Sequence, residues 1–369
     1  MVISRIQYII TLLITISLLI SHIAFAQEAK KMAEDRKAGN VIIHIDALLE
    51  STEKEQLPPL TVAARVWDIT KLITLFWPEV KVDDVLETQY IFKEGITFDS
   101  KEVRVEKYGI GGAELSLNYP LGKIFYRSCT AMEWQEKSTS ALSVFNSDDN
   151  FSGYTPVDDW PLSSEFVDPM TEICSFDDAI AWSLALAASL NIEIDSNPIS
   201  YTGVVEKIHD KQRNETYMYN TIGFAVIRNG VRCETRDYML EAADSMRSFC
   251  AETLAVTFDA NGLSSVICQA YDELSSGEPQ PVIYSDSALD SLADLYKMII
   301  SDSVVNIKSI TFAYVLTPIP GKMLEFNYIP AWKFGTERES WLFNGIIYGD
   351  IIGYVNALNA QIIPSGYIG

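Results

Sequence analysis

The sequence is short of the residues on which most enzyme chemistry rests. It holds three histidines and five cysteines in 369 residues, with 28 Lys and Arg against 50 Asp and Glu. Only His44 and His209 lie beyond the amino-terminal apolar stretch, so a histidine-based triad has two candidates for its base. There is no Gly-rich phosphate loop, no Gly-x-Ser-x-Gly elbow, no His-Glu-x-x-His and no zinc-ligand cluster. The formal charge of −22 argues against nucleic acid as a partner, because that binding needs clustered Lys and Arg to displace counterions. Past the first 26 residues no apolar run matches the length of a membrane span.

Cysteine usage points the same way. Cys129, Cys174, Cys233, Cys250 and Cys268 have neither zinc-site nor thiol-redox spacing, and an odd number leaves at least one unpaired. Cys233 stands at period two with Val231 and Thr235, as a small buried strand residue would. Cys233, Cys250 and Cys268 are the expected partners of any disulfide, since their strands should be neighbours.

What is present begins with a leader. Met1 to Ala26 has one early charge, Arg5, an apolar run from Ile9 to Ile20, and Ala24-Phe25-Ala26 as a small-x-small cleavage site. Thr11, Thr15, Ser17 and Ser21 favour a cleaved signal peptide over a retained anchor. A membrane contact is expected only through an uncleaved leader. Removing the leader takes the charge from −22 to −23, because Arg5 is its only charged residue.

Residues 27–39 are polar and are expected to be a flexible lead-in. Residues 40–137 read as an amino-terminal α+β subdomain. Ile43, Ile45 and Ala47 share one face of a strand, and Ile42, His44 and Asp46 the other. Asp68 caps a helix with Ile69, Leu72, Ile73 and Phe76 on one side, ended by Pro78. Strands follow on either side of Gly109-Ile-Gly111-Gly112. Residues 138–174, rich in Ser, Asp, Pro and Gly, read as a linker.

Residues 175–369 read as a second α+β subdomain. Ser175-Phe-Asp-Asp178 opens a helix to Leu190 that is apolar nearly all round, hence expected to be buried between layers. Asn229-Gly230 and Asp259-Ala-Asn-Gly262 turn two hairpins. After a strand at 281–284, Ser287 is expected to cap a helix facing inward with Leu289, Leu292, Tyr296 and Ile299, and outward with Asp286, Asp290 and Asp294. The tail alternates Leu324, Phe326, Tyr328, Pro330, Trp332 and Phe334. Pro330 predicts an edge or bulge there, and Asn356 to Ala360 a last turn with Asn at positive φ. The fold class expected is α+β, with antiparallel sheets covered by helices in two subdomains.

Pro330-Ala-Trp332-x-Phe334-Gly335 and Tyr354-Val-Asn356-Ala-Leu-Asn359, with Gly223-Phe224, Arg228-Asn-Gly230-Val231, Val256-x-x-Asp259-x-x-Gly262-Leu263-x-Ser265, Ile45-Asp46-Ala47 and Trp67-Asp68, carry a resemblance. They are similar to a secreted and lipoprotein-type Firmicute family, the domain of unknown function 6034 family, whose ending resembles the last hairpin of PepSY domains. The resemblance implies an envelope location and a PepSY-like second subdomain, and brings no catalytic residues. The lipid-anchoring Cys of many members has no counterpart after the apolar run.

Two constellations bear on chemistry. Asp148, Asn150, Ser152 and Asp159 stand at positions one, three, five and twelve of a calcium loop with Gly153 at position six. Pro156, the short final Asp and the lack of flanking helices favour a solvated acidic linker instead, leaving calcium the one cofactor to weigh. His44 and Asp46 form a His–acid pair on one strand face; a half-exposed strand residue is the favoured reading over a catalytic dyad. Among 50 acidic residues nothing singles out a pair for glycoside hydrolysis. The expected function is a non-catalytic, exported envelope factor that binds or regulates a protein, peptide or wall component. The alternative is a wall-polymer hydrolase using an unidentified carboxylate pair.

Overall fold

The structure is a computed structural model that describes residues 30–49, 54–78, 80–93, 102–119, 122–128, 176–196, 199–210, 213–234, 238–242, 245–249, 252–259, 262–297, 302–319, 322, 325–336, 340–342, 345–347 and 351–363. The leader (1–26), the whole of the 138–174 linker, and Cys129, Cys174 and Cys250 lie outside the described residues.

Sixteen strands form two eight-stranded sheets. The first is built from both ends of the chain: β1 (Lys30–Ala38), β2 (Val41–Leu49), β3 (Leu60–Ala64), β12 (Tyr271–Ser276), β13 (Ser303–Pro318), β14 (Glu325–Gly335), β15 (Ile351–Asn356) and β16 (Ile362–Ile363). We call it the terminal sheet. The inserted sheet is drawn from the stretch between: β4 (Leu86–Lys93), β5 (Glu102–Ile110), β6 (Ala113–Tyr119), β7 (Lys123–Arg127), β8 (Ile199–Asp210), β9 (Arg213–Ala225), β10 (Thr253–Asp259) and β11 (Gly262–Gln269). Its order is β4-β5-β6-β7-β11-β10-β9-β8, antiparallel throughout. The terminal sheet runs β1-β2-β13-β14-β15-β16, with β3 alongside β14 and β12 beyond β3. Its one parallel pair is β2–β13. The architecture is mostly β with antiparallel and mixed sheets, compatible with α+β. The division, however, does not fall at 138–174, since strands before and after that stretch share the inserted sheet.

β1 replaces the expected lead-in. It pairs with β2 along its whole length, Ala38 opposite Val41 to Lys30 opposite Leu49. Its polar sequence is that of a sheet edge, where one row of side chains stays in water. Arg36 fastens it by donating to Asp290 Oδ1 at 2.7 Å and Asp286 Oδ1 at 3.1 Å, with Glu34 also paired.

Three α-helices occur among the described residues. In α1 (Ile69–Phe76) the Asp68 carboxylate accepts from the Lys71 N–H at 3.2 Å, and Leu72 and Ile73 are buried. α2 (Phe176–Ser189) buries Ala179, Ser183, Leu186 and Ala187, while Ala181, Trp182, Ala185 and Ala188 are exposed. It is therefore covered on one side and not enclosed between layers; its apolar outer residues are largely alanine, whose small side chains cost little in water. In α3 (Ser285–Tyr296) Ser287 lies within the first turn and makes no cap; the N-cap is Tyr284, without a side-chain bond. Leu289 and Leu292 are buried, and Leu292 comes so close to Gly353 that a Cβ there would sit 3.1 Å from its Cδ1.

The tail corrects two further expectations. The ladder-forming strand at 280–281 stops before 284. Pro330 lies inside the sheet opposite Tyr314, yet removes no needed bond. On the far side of β14, β3 pairs with Glu325–Tyr328 and β15 with Ala331–Gly335, so the missing donor faces the gap between them. There the Pro330 carbonyl accepts from the Ala357 N–H at 2.8 Å. In the last turn positive φ falls on Ala360. Asn356 and Asn359 instead accept from the N–H groups of Leu358 and Gln361.

Both faces of the terminal sheet are buried around β14. Phe326, Tyr328, Trp332 and Phe334 enter the main core, where Trp332 packs edge-on against Phe312 and donates to the Ile283 carbonyl at 2.9 Å. Ala331 faces the other way with Val315, Tyr354 and Ile363.

Candidate functional site

One residue links a strand of each sheet directly along the chain. β11 ends at Gln269 and β12 begins at Tyr271, so a single extended run leaves the inserted sheet and enters the terminal one at Ala270. The Ala270 carbonyl accepts from the Arg65 N–H at 3.0 Å, and the Gly122 carbonyl from the Trp67 indole at 2.8 Å. Gly122 has φ +68°, and a Cβ on it would lie 2.7 Å from the Arg65 nitrogen, which reserves the position for glycine. The Arg65 side chain binds Asp272 at 2.7 Å and the Leu190 carbonyl at the end of α2 at 2.8 Å.

Charged side chains are buried at this crossing. Val231 returns the chain from the Asn229-Gly230 turn, both of whose residues have positive φ (50° and 75°), as a type I′ turn requires. This brings Arg228 to Glu252 through two bonds of 2.8 Å, with Glu252 1% exposed. The pair does more than neutralise itself. Glu252 accepts from the Tyr271 N–H at 2.7 Å while Arg228 donates to the Tyr271 carbonyl at 2.7 Å. The two side chains thus occupy the place of a neighbouring strand at the start of β12. The guanidinium also lies 5.4 Å from the Tyr328 ring centroid.

Cys233 and Cys268 border the same cluster, both buried and both free. They do not pair with one another, contrary to one expected disulfide. Burial, then the Glu252 carboxylate, pushes the Cys233 thiol up. Burial likewise raises that of Cys268. Such thiols are poor nucleophiles, since the thiolate is the reactive form.

On the opposite face of the sheet Glu234, held beside β13 by its N–H to the Tyr314 carbonyl at 2.8 Å, meets Lys333 at 2.8 Å and the Tyr354 hydroxyl at 3.1 Å. This too is a buried ionic set. Segment 226–234 therefore carries one ionic clasp to each face of the terminal sheet.

The candidates expected from sequence fare differently. Asp148, Asn150, Ser152 and Asp159 lie outside the described residues, as does the His209 side chain. His44 and Asp46 do share the solvent face of β2, but they do not pair with each other. His44 opposes Asp35 across the β1–β2 ladder and bonds to it, whereas Asp46 pairs with Lys31 at 2.9 Å and more loosely with Lys308 at 3.5 Å. The Lys31 hydrogen bond holds the Asp46 carboxyl below its ordinary range. Among the described residues no group of three or more His, Cys, Asp or Glu is placed to hold a metal ion, and no helix is long and apolar enough to cross a membrane.

A surface that sequence reading passed over is the outer side of β12 and its continuation. Every residue from Asp272 to Pro281 is exposed, although the run is held along its inner side from end to end. β12 pairs with β3, the Gly277 N–H donates to Pro59, 280–281 pair with 56–57, and the Val282 N–H donates to Glu55. Its composition of Asp, Glu, Ser, Gly and Pro reads as a loop, which is why its strand character escaped. The cue available was the unbroken passage from the alternating hairpin strand into it.

No family model and no curated protein matches the chain. Among solved structures it resembles that of an uncharacterised protein from Eubacterium rectale, with a TM-score of 0.52 and 11% identity over 87% of this chain and 90% of that one. A likeness at that identity shows a shared fold and nothing of activity.

Proposed function

We propose that the protein is an exported cell-envelope factor that binds a protein, peptide or wall component and is not an enzyme. The observation that carries this reading is the exposed, extended run 272–281, an acidic sheet edge held on one side only. The buried Arg228–Glu252 pair at the junction supports it, because its bonds run between the two side chains and to Tyr271. The apolar stretch and Ala24-Phe25-Ala26 support export. The helices as covers of the sheets, and the tail as a PepSY-like hairpin of the resembled family, belong to the same reading. β13 to β16 supply its strands, and α3 lies against them through Leu292.

The test is affinity capture from envelope extract with the protein lacking residues 1–26, run beside incubation with purified wall. Saturable retention without release of sugars or peptides supports binding. Release that one carboxylate substitution abolishes without unfolding the chain rejects it in favour of a hydrolase. Replacing His44 and Asp46 together by Ala should leave the retained material unchanged.

A further inference from the structure

We infer that β12 accepts an extended peptide bearing Lys or Arg as an added strand along its outer edge. This deepens the binding reading above and rests on it. The Tyr271 N–H and carbonyl point away from β3, to Glu252 and Arg228. Side alternates along a strand, so Asp272 addresses β3 and Glu273 addresses the open edge. The register then slips between Glu273 and Ser275, with Leu274 as the extra residue, 54% exposed. Gly277 donates inward to Pro59, which leaves Ser276 facing out. Glu273 and Ser276 thus offer backbone groups to an incoming strand, and no strand lies there among the described residues.

The edge is bounded at both ends. The Arg228–Glu252 pair already fills the neighbouring place at Tyr271, and Pro279 and Pro281 lack the donors to extend a ladder. A short bounded edge takes one strand in one register and does not propagate into a stack. Charge selects the occupant. Glu273 and Glu278 line the run, beside an Asp272 that Arg65 already pairs, and the −22 of the whole chain opposes a second copy and favours a cationic segment. Leu274 adds an apolar contact between the carboxylates. Main-chain bonds supply affinity in strand addition, while flanking side chains supply preference.

The probe is a fluorescein-labelled peptide of alternating Lys and Val, followed by anisotropy with the intact protein. It should bind saturably. A version N-methylated at alternate amides keeps the charge but loses strand bonds, and should bind about tenfold more weakly, the worth of one to two net hydrogen bonds. Ser276→Pro removes an outward donor and leaves the inward Gly277 bond, so it should lose a similar factor at an unchanged melting temperature. Equal binding of both peptides means attraction to net charge alone and overturns the proposal, as does absence of saturable binding. If Ser276→Pro lowers the melting temperature, hydrogen exchange at 271–277 in the parent decides: slowing on peptide addition supports the edge, and unchanged exchange overturns it. Equal capture from envelope extract by parent and Ser276→Pro sinks the edge while leaving the binding reading standing; carboxylate-dependent wall digestion sinks that reading itself.

Discussion

Ion pairs of similar length sit in two very different places. Arg228–Glu252 at the sheet crossing is bonded at 2.8 Å with Glu252 buried, and Lys31–Asp46 on the solvent face of β2 is bonded at 2.9 Å with side chains 67% and 39% exposed. The first has surrendered its water and depends wholly on its partners; the second exchanges one solvated state for another. Distance alone therefore says little about what either pair contributes. The environment decides, because a buried charge left without its partner is far costlier than an exposed one.

Glu252→Ala should have the largest effect, about 3–5 kcal/mol lost in urea unfolding, since Arg228 and the Tyr271 N–H both lose their acceptor. A cost near that of a surface pair would remove the distinction between the two places. Trp332→Ala supplies an apolar yardstick of about 3–5 kcal/mol, because the indole is buried and bonded to Ile283. Lys333→Met should cost about 3 kcal/mol by taking the counter-charge from the buried Glu234, and adding Glu234→Leu should recover most of it, as replacing a buried pair wholly by apolar groups is often neutral. No recovery in the double variant would show that the pair itself holds the segment in place.

Between the extremes stands Glu114. Burial raises its carboxyl, but Ser116, Arg127 and Lys107 outweigh burial and hold it below the ordinary value of 4.5. A depressed carboxyl stabilises the fold above its unfolded pKa, and that stability fades as pH falls through the folded one. Glu114→Gln should accordingly flatten the acid limb of the stability profile below pH 4.5, and an unaltered limb would count against it. The smallest effect belongs to Asp46→Ala, whose urea unfolding should stay close to that of the parent, and its contribution should shrink further in high salt.

Local signals were legible and long-range ones were not. Asp68 as a cap, Asn229-Gly230 as a turn, and Ile43, Ile45 and Ala47 as the inward row of β2 all follow from neighbours in sequence, and each is found in place. The membership of strands in sheets is fixed by contacts hundreds of residues apart, which periodicity does not encode. The linker-like texture of 138–174 therefore suggested a boundary between halves that the inserted sheet ignores. Arg228 and Glu252 were invisible for the same reason, since neither breaks a pattern in its own segment. At Pro330 the rule that proline avoids interior strands held in substance: the strand is interior, but the donor it lacks faces a gap.

The division of the terminal sheet between the chain's two ends sets an order of assembly. β2 finds its parallel partner in β13 only after residue 303 is available, and β3 waits for β12 and β14. The inserted sheet, contained within residues 86–269, can close first. A chain threaded across a membrane from its amino end would deliver β1 to β3 early and keep their edges open until the last hundred or so residues emerged. Such distant pairings slow folding and leave early strands exposed to the wrong partners. The lysines of β1 and the prolines at 58 and 59 are of the residue types that discourage wrong edge-to-edge pairing of such strands.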